Sequence, residues 1–187
     1  MMRLRRPDDA ALEALRLRLG DAPPSYPEVG RIAGDCPRGY WPLCHQGEVG
    51  RGPAALEAAR RALDRWAMIP PWVEVLGETA VGSTVIVIAR PGGLYSINAC
   101  RILAREESPT RHAITYGTLT LHEERGEERF LVELHADGRV TYEVKSFSRP
   151  AHPLVWLGFP VARWLQHRFA RHSIATLRAE VARCLQG

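Results

Sequence analysis

Between positions 122 and 129 the chain reads His-Glu-Glu-Arg-Gly-Glu-Glu-Arg, setting one imidazole, four carboxylates and two guanidiniums side by side. Groups of this kind move protons when a cavity holds them: a carboxylate or imidazole takes the proton, and a nearby phenol donates to a substrate oxygen. His122 and Glu128 are the candidate bases and Tyr116 the candidate acid. The same run also reads as a solvated hairpin paired to itself, and composition alone favours that plainer reading. It is not a zinc-protease helix, because no second histidine stands four residues after His122. Cys36, Cys44, Cys100 and Cys184 form no Cys-x-x-Cys pair, and no second ligand pair follows Cys36, Cys44 and His45. Neither a metal nor a cofactor is expected.

Two polar residues interrupt an apolar strand. Arg101 shares its face, by alternation, with Tyr95, Ile97, Ala99 and Leu103. It reads either as a forked anchor for a ligand carboxylate or phosphate, or as half of a structural ion pair. Asn98, on the other face, reads as a pocket group or as a strand-end hydrogen bond. Gly50-Arg51-Gly52 lacks the spacing and lysine of a phosphate loop and is read as a turn. No Gly-x-Ser-x-Gly elbow exists, so Ser148 is not expected to be a hydrolase nucleophile.

The elements that must position these groups follow from periodicity. A helix is expected over 8–19, capped by Asp8 or Asp9, with Leu12, Leu15 and Leu19 on one face and Gly20 ending it. Residues 20–52 are rich in Gly and Pro, with extended pieces around Tyr26–Ile32 and Tyr40–Val49. A second helix starts at Pro53 and runs to about Met68, burying Leu56, Ala59, Leu63 and Trp66. Six strands are expected at Trp72–Leu76, Thr84–Arg90, Leu94–Arg105, His112–Leu119, Glu128–His135 and Val140–Ser148. A long helix, roughly 154–186, closes the chain, with Leu157, Val161, Leu165, Phe169, Leu177, Val181 and Leu185 as its apolar positions. Its Arg163, His167, Arg171 and Arg178 fall on one side and read as the wet face of a core helix in an arginine-rich protein.

One hairpin can be read in register. With Ala136-Asp137-Gly138 as a three-residue loop and Gly138 left-handed, Leu134 faces Val140, Val132 faces Tyr142, Phe130 faces Val144 and Glu128 faces Ser146. A two-residue loop would set Val132 against Glu143 and Phe130 against Lys145. The bulged reading makes Glu128 the acidic end of an apolar stripe, with Ser146 and Ser148 near it, and sends Arg129 to the opposite face.

Hairpin-linked strands followed by one long helix specify α+β with a curved antiparallel sheet gripping that helix, a helix-grip with a cavity wherever side chains leave room. The 187 residues fit 21–187 as one such domain and 1–20 as an N-terminal helical extension. Composition is 45% hydrophobic and 25% charged, which excludes a disordered tail, a collagen and a disulfide miniprotein. The net charge of +4 is too mild for a dedicated nucleic-acid binder, and that partner is not expected. No stretch reaches a membrane span's length, and Asp8 and Asp9 stand where a signal peptide's apolar region would fall, so the expected compartment is the cytoplasm.

The segments GRGPAALEAARRALDRWAM (50–68), NACRI (98–102), YGTLTLHEERGEERFLVE (116–133) and SFSRPAHPLVWLGFPVARWLQHRFA (146–170) resemble the uncharacterised protein family 0548, collinearly from about Tyr26 to Ile174. The resemblance implies a helix-grip domain similar to the START and birch-pollen-allergen superfamily, which commonly binds apolar small molecules. It implies no activity. It also draws interest to His122, Glu127, Glu128 and Arg129. The expected function is therefore binding of an apolar or amphipathic small molecule between sheet and C-terminal helix, lined by Arg101, Asn98, Tyr116, Glu128, Ser146 and Ser148. The rival from a different class is a hydrolase or lyase using Glu128 or His122 with Tyr116. A protein partner is left open.

Overall fold

The computed structural model describes residues 2–151, 156 and 158–186. A short strand β1 (Met2–Arg3) precedes helix α1 (Asp9–Arg18), where the Asp8 carboxylate caps the first turn by accepting from the Ala11 amide at 2.7 Å. Then come β2 (Trp41–Arg51) and α2 (Gly52–Asp64), followed by β3 (Val73–Leu76), β4 (Thr84–Ala89), β5 (Tyr95–Glu107), β6 (Arg111–Thr118), β7 (Glu124–Leu134) and β8 (Arg139–Pro150). Helix α3 (Phe159–Gln186) ends the described chain. The strands form one antiparallel sheet in the order β2-β8-β7-β6-β5-β4-β3, with β1 on the start of β5.

Three expectations shift. Residues 26–32 form turns rather than an extended piece. The second helix stops at Asp64, because Trp66 turns left-handed (φ 60°) and its indole donates to the Gly77 carbonyl at 3.0 Å. Strand β7 begins at Glu124, not Glu128: pairing with β8, from Glu124 opposite Pro150 onward, carries it through the charged run. The expected start of the last helix and Leu157 lie outside the described residues.

Alternation gives the sheet two apolar faces. Inside, Val85, Cys100, Ile102, Ile114, Tyr116, Phe130, Val132, Val140, Tyr142 and Val144 form one core with both long helices. Outside, Ile86, Ile88, Ile97, Ala99 and Leu119 pack against Leu12, Leu15 and Leu19 of α1. The concave side is thus covered by α2 as well as by α3. Helix α3 buries Ala170, Ser173, Ile174, Leu177 and Val181, whereas Val161 and Leu185 are exposed.

Close approach of α3 to β2 depends on glycines. A Cβ at Gly47 would stand 2.8 Å from Cγ2 of Ile174, and one at Gly50 would stand 2.7 Å from the Ala55 Cβ and 3.1 Å from Cγ1 of Val181. The basic side of α3 faces β2 as well. Arg163 donates to the Pro42 carbonyl at 2.9 Å, His167 Nδ1 meets His45 Nε2 at 2.8 Å, and Arg178 donates to the Glu48 carbonyl at 2.8 Å. These residues dock the helix.

The β7–β8 hairpin has the expected register: Leu134 faces Val140, Val132 faces Tyr142, Phe130 faces Val144 and Glu128 faces Ser146, with Gly138 left-handed at φ 83°. Gly126, at φ 152°, would place a Cβ 1.9 Å from the Phe147 carbonyl oxygen, a backbone atom that cannot swing away. Gly126→Ala is therefore expected to cost more than ~3 kcal/mol in chemical denaturation. Gly138→Ala, whose Cβ meets nothing within 4 Å, is expected to cost only the left-handed penalty of about 1 kcal/mol.

Candidate functional site

Helix α3 fills the sheet's hollow fully only over its C-terminal half. Further toward its start, a cavity of about 180 Å³ lies between helix and strands. Its dry wall comes from Trp72, Val73, Val87, Ala89, Leu165 and Phe169. Its polar wall comes from Tyr116, His122, Glu124, Glu128, Ser146, Ser148 and Gln166. A second chamber of about 570 Å³ shares Trp72, Ala89, His122, Glu124, Leu165 and Gln166 with the first and adds Ser96 and Asn98. That chamber alone lies within the usual size of small-molecule pockets, about 300–1,000 Å³.

Glu128 and Tyr116 reach this wall for a simple reason. They are directly opposed across β6 and β7, both on the inward face. The Tyr116 hydroxyl donates to Glu128 Oε2 in a short hydrogen bond. Burial pushes the Glu128 carboxyl up to about 7; the Tyr116 bond pulls the other way, and the neighbouring Glu124 adds to the rise. Both residues keep a little accessible surface, which the cavity they line explains; the protein around them still displaces bulk water. Tyr116 is itself held well above the usual phenol range, first by burial and then by Glu128.

Leu121, left-handed at φ 76°, turns the β6–β7 connection so that His122 enters the cavity wall. Burial drives the His122 imidazole down to about 3, so it is neutral at ordinary pH. Its Nδ1 accepts the Glu124 amide N–H at 3.0 Å, which leaves the ring proton on Nε2. Glu124, two pleats from Glu128 on the same face, accepts from the Gln166 amide at 2.5 Å, and Gln166 also donates to Ser148 Oγ at 3.0 Å. Burial raises the Glu124 carboxyl, while Ser148, Gln166 and Arg163 oppose the rise.

Other residues singled out from the sequence sit elsewhere. Arg101 lies on the outer face, where its guanidinium donates to the Leu19 carbonyl at 2.9 Å and the Ala22 carbonyl at 3.2 Å, at the end of α1. Its partners are backbone oxygens, and it lines neither chamber. Asn98 borders the second chamber and accepts from the Glu123 amide at 3.4 Å, steadying the His122 connection. Arg129 is outward and bound to Glu143 at 2.9 Å. Glu127 is also outward: its carboxylate accepts from the Tyr26 hydroxyl (2.9 Å) and from the Gly30 (2.5 Å) and Ile32 (3.0 Å) amides, strapping the 25–40 segment over Phe147.

Sequence reasoning missed Glu124 as an individual site residue, along with Gln166, Trp72 and Phe169. For Glu124 the signal was present, since alternation puts it on Glu128's face once the strand is allowed to start early. No group of three or more His, Cys, Asp or Glu side chains capable of holding a metal occurs among the described residues.

Two tests follow from this geometry. Glu127→Ala strands three donors, one buried phenol and two amides, and is expected to cost about 3 kcal/mol or more and to open 25–40 to proteolysis; Glu127→Gln, which keeps an acceptor, costs less. For Glu128, the folded-state value stands above the ordinary 4.5, so its contribution is whole below pH 4.5 and is lost as pH rises through about 7. Relative to Glu128→Gln, the native protein is expected to lose up to ~3 kcal/mol between pH 4.5 and pH 8, read from denaturation midpoints. A flat difference across that window would contradict the burial of the carboxyl.

A family model described as "Domain of unknown function (DUF1990)" matches residues 25–176. A "UPF0548 protein" of Deinococcus radiodurans is 36% identical, over 92% of this chain and 94% of the relative. Among solved structures, the Zhui aromatase/cyclase of Streptomyces sp. R1128 superposes with a TM-score of 0.59 at 16% identity, covering 78% of this chain and 96% of that one. A Thermus thermophilus protein gives a TM-score of 0.54 at 12% identity, covering 76% and 97%. At such identities the structural likeness speaks for the fold, a helix-grip, while the sequence matches speak for the family: the chain belongs to the DUF1990 family of UPF0548 proteins.

Proposed function

We propose that the protein binds an apolar or amphipathic small molecule in the cavity between the sheet and α3, with the molecule's polar end against Tyr116 and Glu128. The observation that carries this reading is the division of one cavity into a dry wall, with Trp72, Val87, Leu165 and Phe169, and a polar wall, with Tyr116, Glu128, Ser146 and Ser148. Pockets built to hold and orient small molecules have this composition. The neighbour's name, an aromatase/cyclase, is in keeping with a fold that accommodates organic ligands. In this reading residues 21–187 are the binding domain, and 1–20 extend it over the outer face. Four free thiols, two of them exposed, fit a reducing compartment such as the cytoplasm. No helix among the described residues is long and apolar enough to cross a membrane.

A second reading, acid–base chemistry of hydrolase or lyase type, draws on one observation. Glu128, held at about 7 and hydrogen-bonded to Tyr116, is poised to exchange a proton near neutral pH. His122, pushed down to about 3, is a poor base and serves this reading only as a neutral donor.

Native mass spectrometry of the protein purified from its own host, followed by denaturing extraction, tests the binding reading. A co-purifying organic molecule is expected, and Ala89→Trp, which fills the space shared by both chambers, is expected to lose it while keeping its fold by circular dichroism. A protein that carries nothing, and whose melting temperature no apolar probe raises, would refute it. A probe turned over by the native protein but only bound by Glu128→Gln would favour the enzyme.

A further inference from the structure

Resting on the cavity-binding reading, we infer that the cavity selects molecules whose polar end is cationic, apolar amines above all, with Glu128 as the counter-charge. Lysine and arginine make up 25 of the 187 residues, yet none lines either chamber among the described residues. The charged side chains that do line them are glutamates. A carboxylate-ended ligand would meet like charge with no cation to receive it, whereas an ammonium supplies the charge the site lacks.

Glu128, not Glu124, is the receiving group. Glu124 is already satisfied by the Gln166 amide and lies within the influence of Arg163, which itself donates to Pro42 and Gln166 outside the cavity lining. Glu128 has one protein partner, Tyr116 on Oε2; its Oε1 makes no hydrogen bond among the described residues. The titratable groups nearest Glu128 are the acids Tyr116 from β6, Cys100 from β5, Tyr142 from β8 and Glu124 from its own strand, while His122, from the β6–β7 connection in the same polar wall, is driven down to about 3 by burial and stays neutral. From α3 the facing residues, Leu165, Gln166 and Phe169, carry no charge. The rings of Tyr116 and Phe169 also line the cavity, and aromatic faces attract cations; Trp72, the third ring, already carries the Arg168 guanidinium 5.5 Å from its centroid.

An ammonium ligand entering a site whose Glu128 is protonated displaces that proton to solvent and leaves a carboxylate–ammonium pair. Amine binding is therefore linked to proton release, and its affinity rises with pH until Glu128 is ionised in the free protein. A neutral alcohol has no such linkage.

The test is calorimetric titration with three matched probes, octylamine, octan-1-ol and octanoate, at pH values from 5.5 to 8.5 in buffers of different ionisation heat. At pH 8.5 octylamine is expected to bind about tenfold or more tighter than octanol, and octanoate weaker than either. Below pH 7 amine affinity is expected to fall by up to about tenfold per pH unit, with close to one proton released, while octanol stays level. Glu128→Gln, its fold checked by circular dichroism, is expected to abolish both the amine preference and the proton release. Octanoate binding as well as octylamine, or an amine preference that survives Glu128→Gln, overturns the charge rule and leaves the cavity reading standing. Failure of all three probes overturns both.

Discussion

A curved antiparallel sheet cannot fill its own hollow, and the helix laid into it can touch only some of the strands. In this protein α3 is drawn onto β2, where Gly47 and Gly50 remove the side chains that would hold it off. Contact there is close enough to bury Ile174, Leu177 and Val181, and α2 seals the same end. The cost of close packing at one edge is space at the other. Over β4 to β7 the first turns of α3 stand away from the sheet, and that gap is the cavity.

What lines the gap is decided by pleat. Inward positions of β7 run Glu124, Gly126, Glu128, Phe130, Val132, so the stripe passes from core to polar wall without leaving the face. The intervening positions point the other way and do different work: Glu127 holds the 25–40 strap and Arg129 pairs with Glu143. Two adjacent carboxylates thus occupy opposite electrostatic worlds. Glu127 has three donors and is fully used, whereas Glu128 has one and is left near neutrality. A buried carboxyl with so few partners favours its protonated form, which is the physical source of its raised value.

Much of this is legible in the order of residues alone. The three-residue turn at 136–138 sets the β7–β8 pairs, and alternation separates Glu128 from Arg129 and Asn98 from Arg101. Alternation cannot say which face grips the helix, however, and in β4 and β5 both faces are apolar because α1 covers the outer one. That is why Arg101 reads as a pocket anchor in one dimension and binds the end of α1 in three. The run 122–129 hides its strand for a related reason: charges usually mark a turn, and only pairing with β8 from Glu124 onward, joined by β6 from Glu127, makes extended backbone there worthwhile. Gln166 carries no signal at all, since one amide on an otherwise ordinary helix acquires a role only from what lies beneath it.

Helix α3 is secured by two kinds of force along its length. Its C-terminal half is held by buried apolar side chains and by the Ser173–Tyr142 hydroxyl pair at 2.9 Å. Its N-terminal half is held by separate polar links, Arg163 to Pro42, Gln166 to Glu124 and Ser148, and His167 to His45, and by ring contacts of Phe159 with Trp41 and of Phe169 with Trp72 and Phe130. Separate links bordering a cavity give way more readily than a continuous packed core. The helix is accordingly expected to open from its first turns before the rest of it. Amide hydrogens along α3 should then grade from fast to slow exchange toward Val181, and the fast end is the one above the cavity, so the rate of its breathing sets how quickly anything inside can come and go.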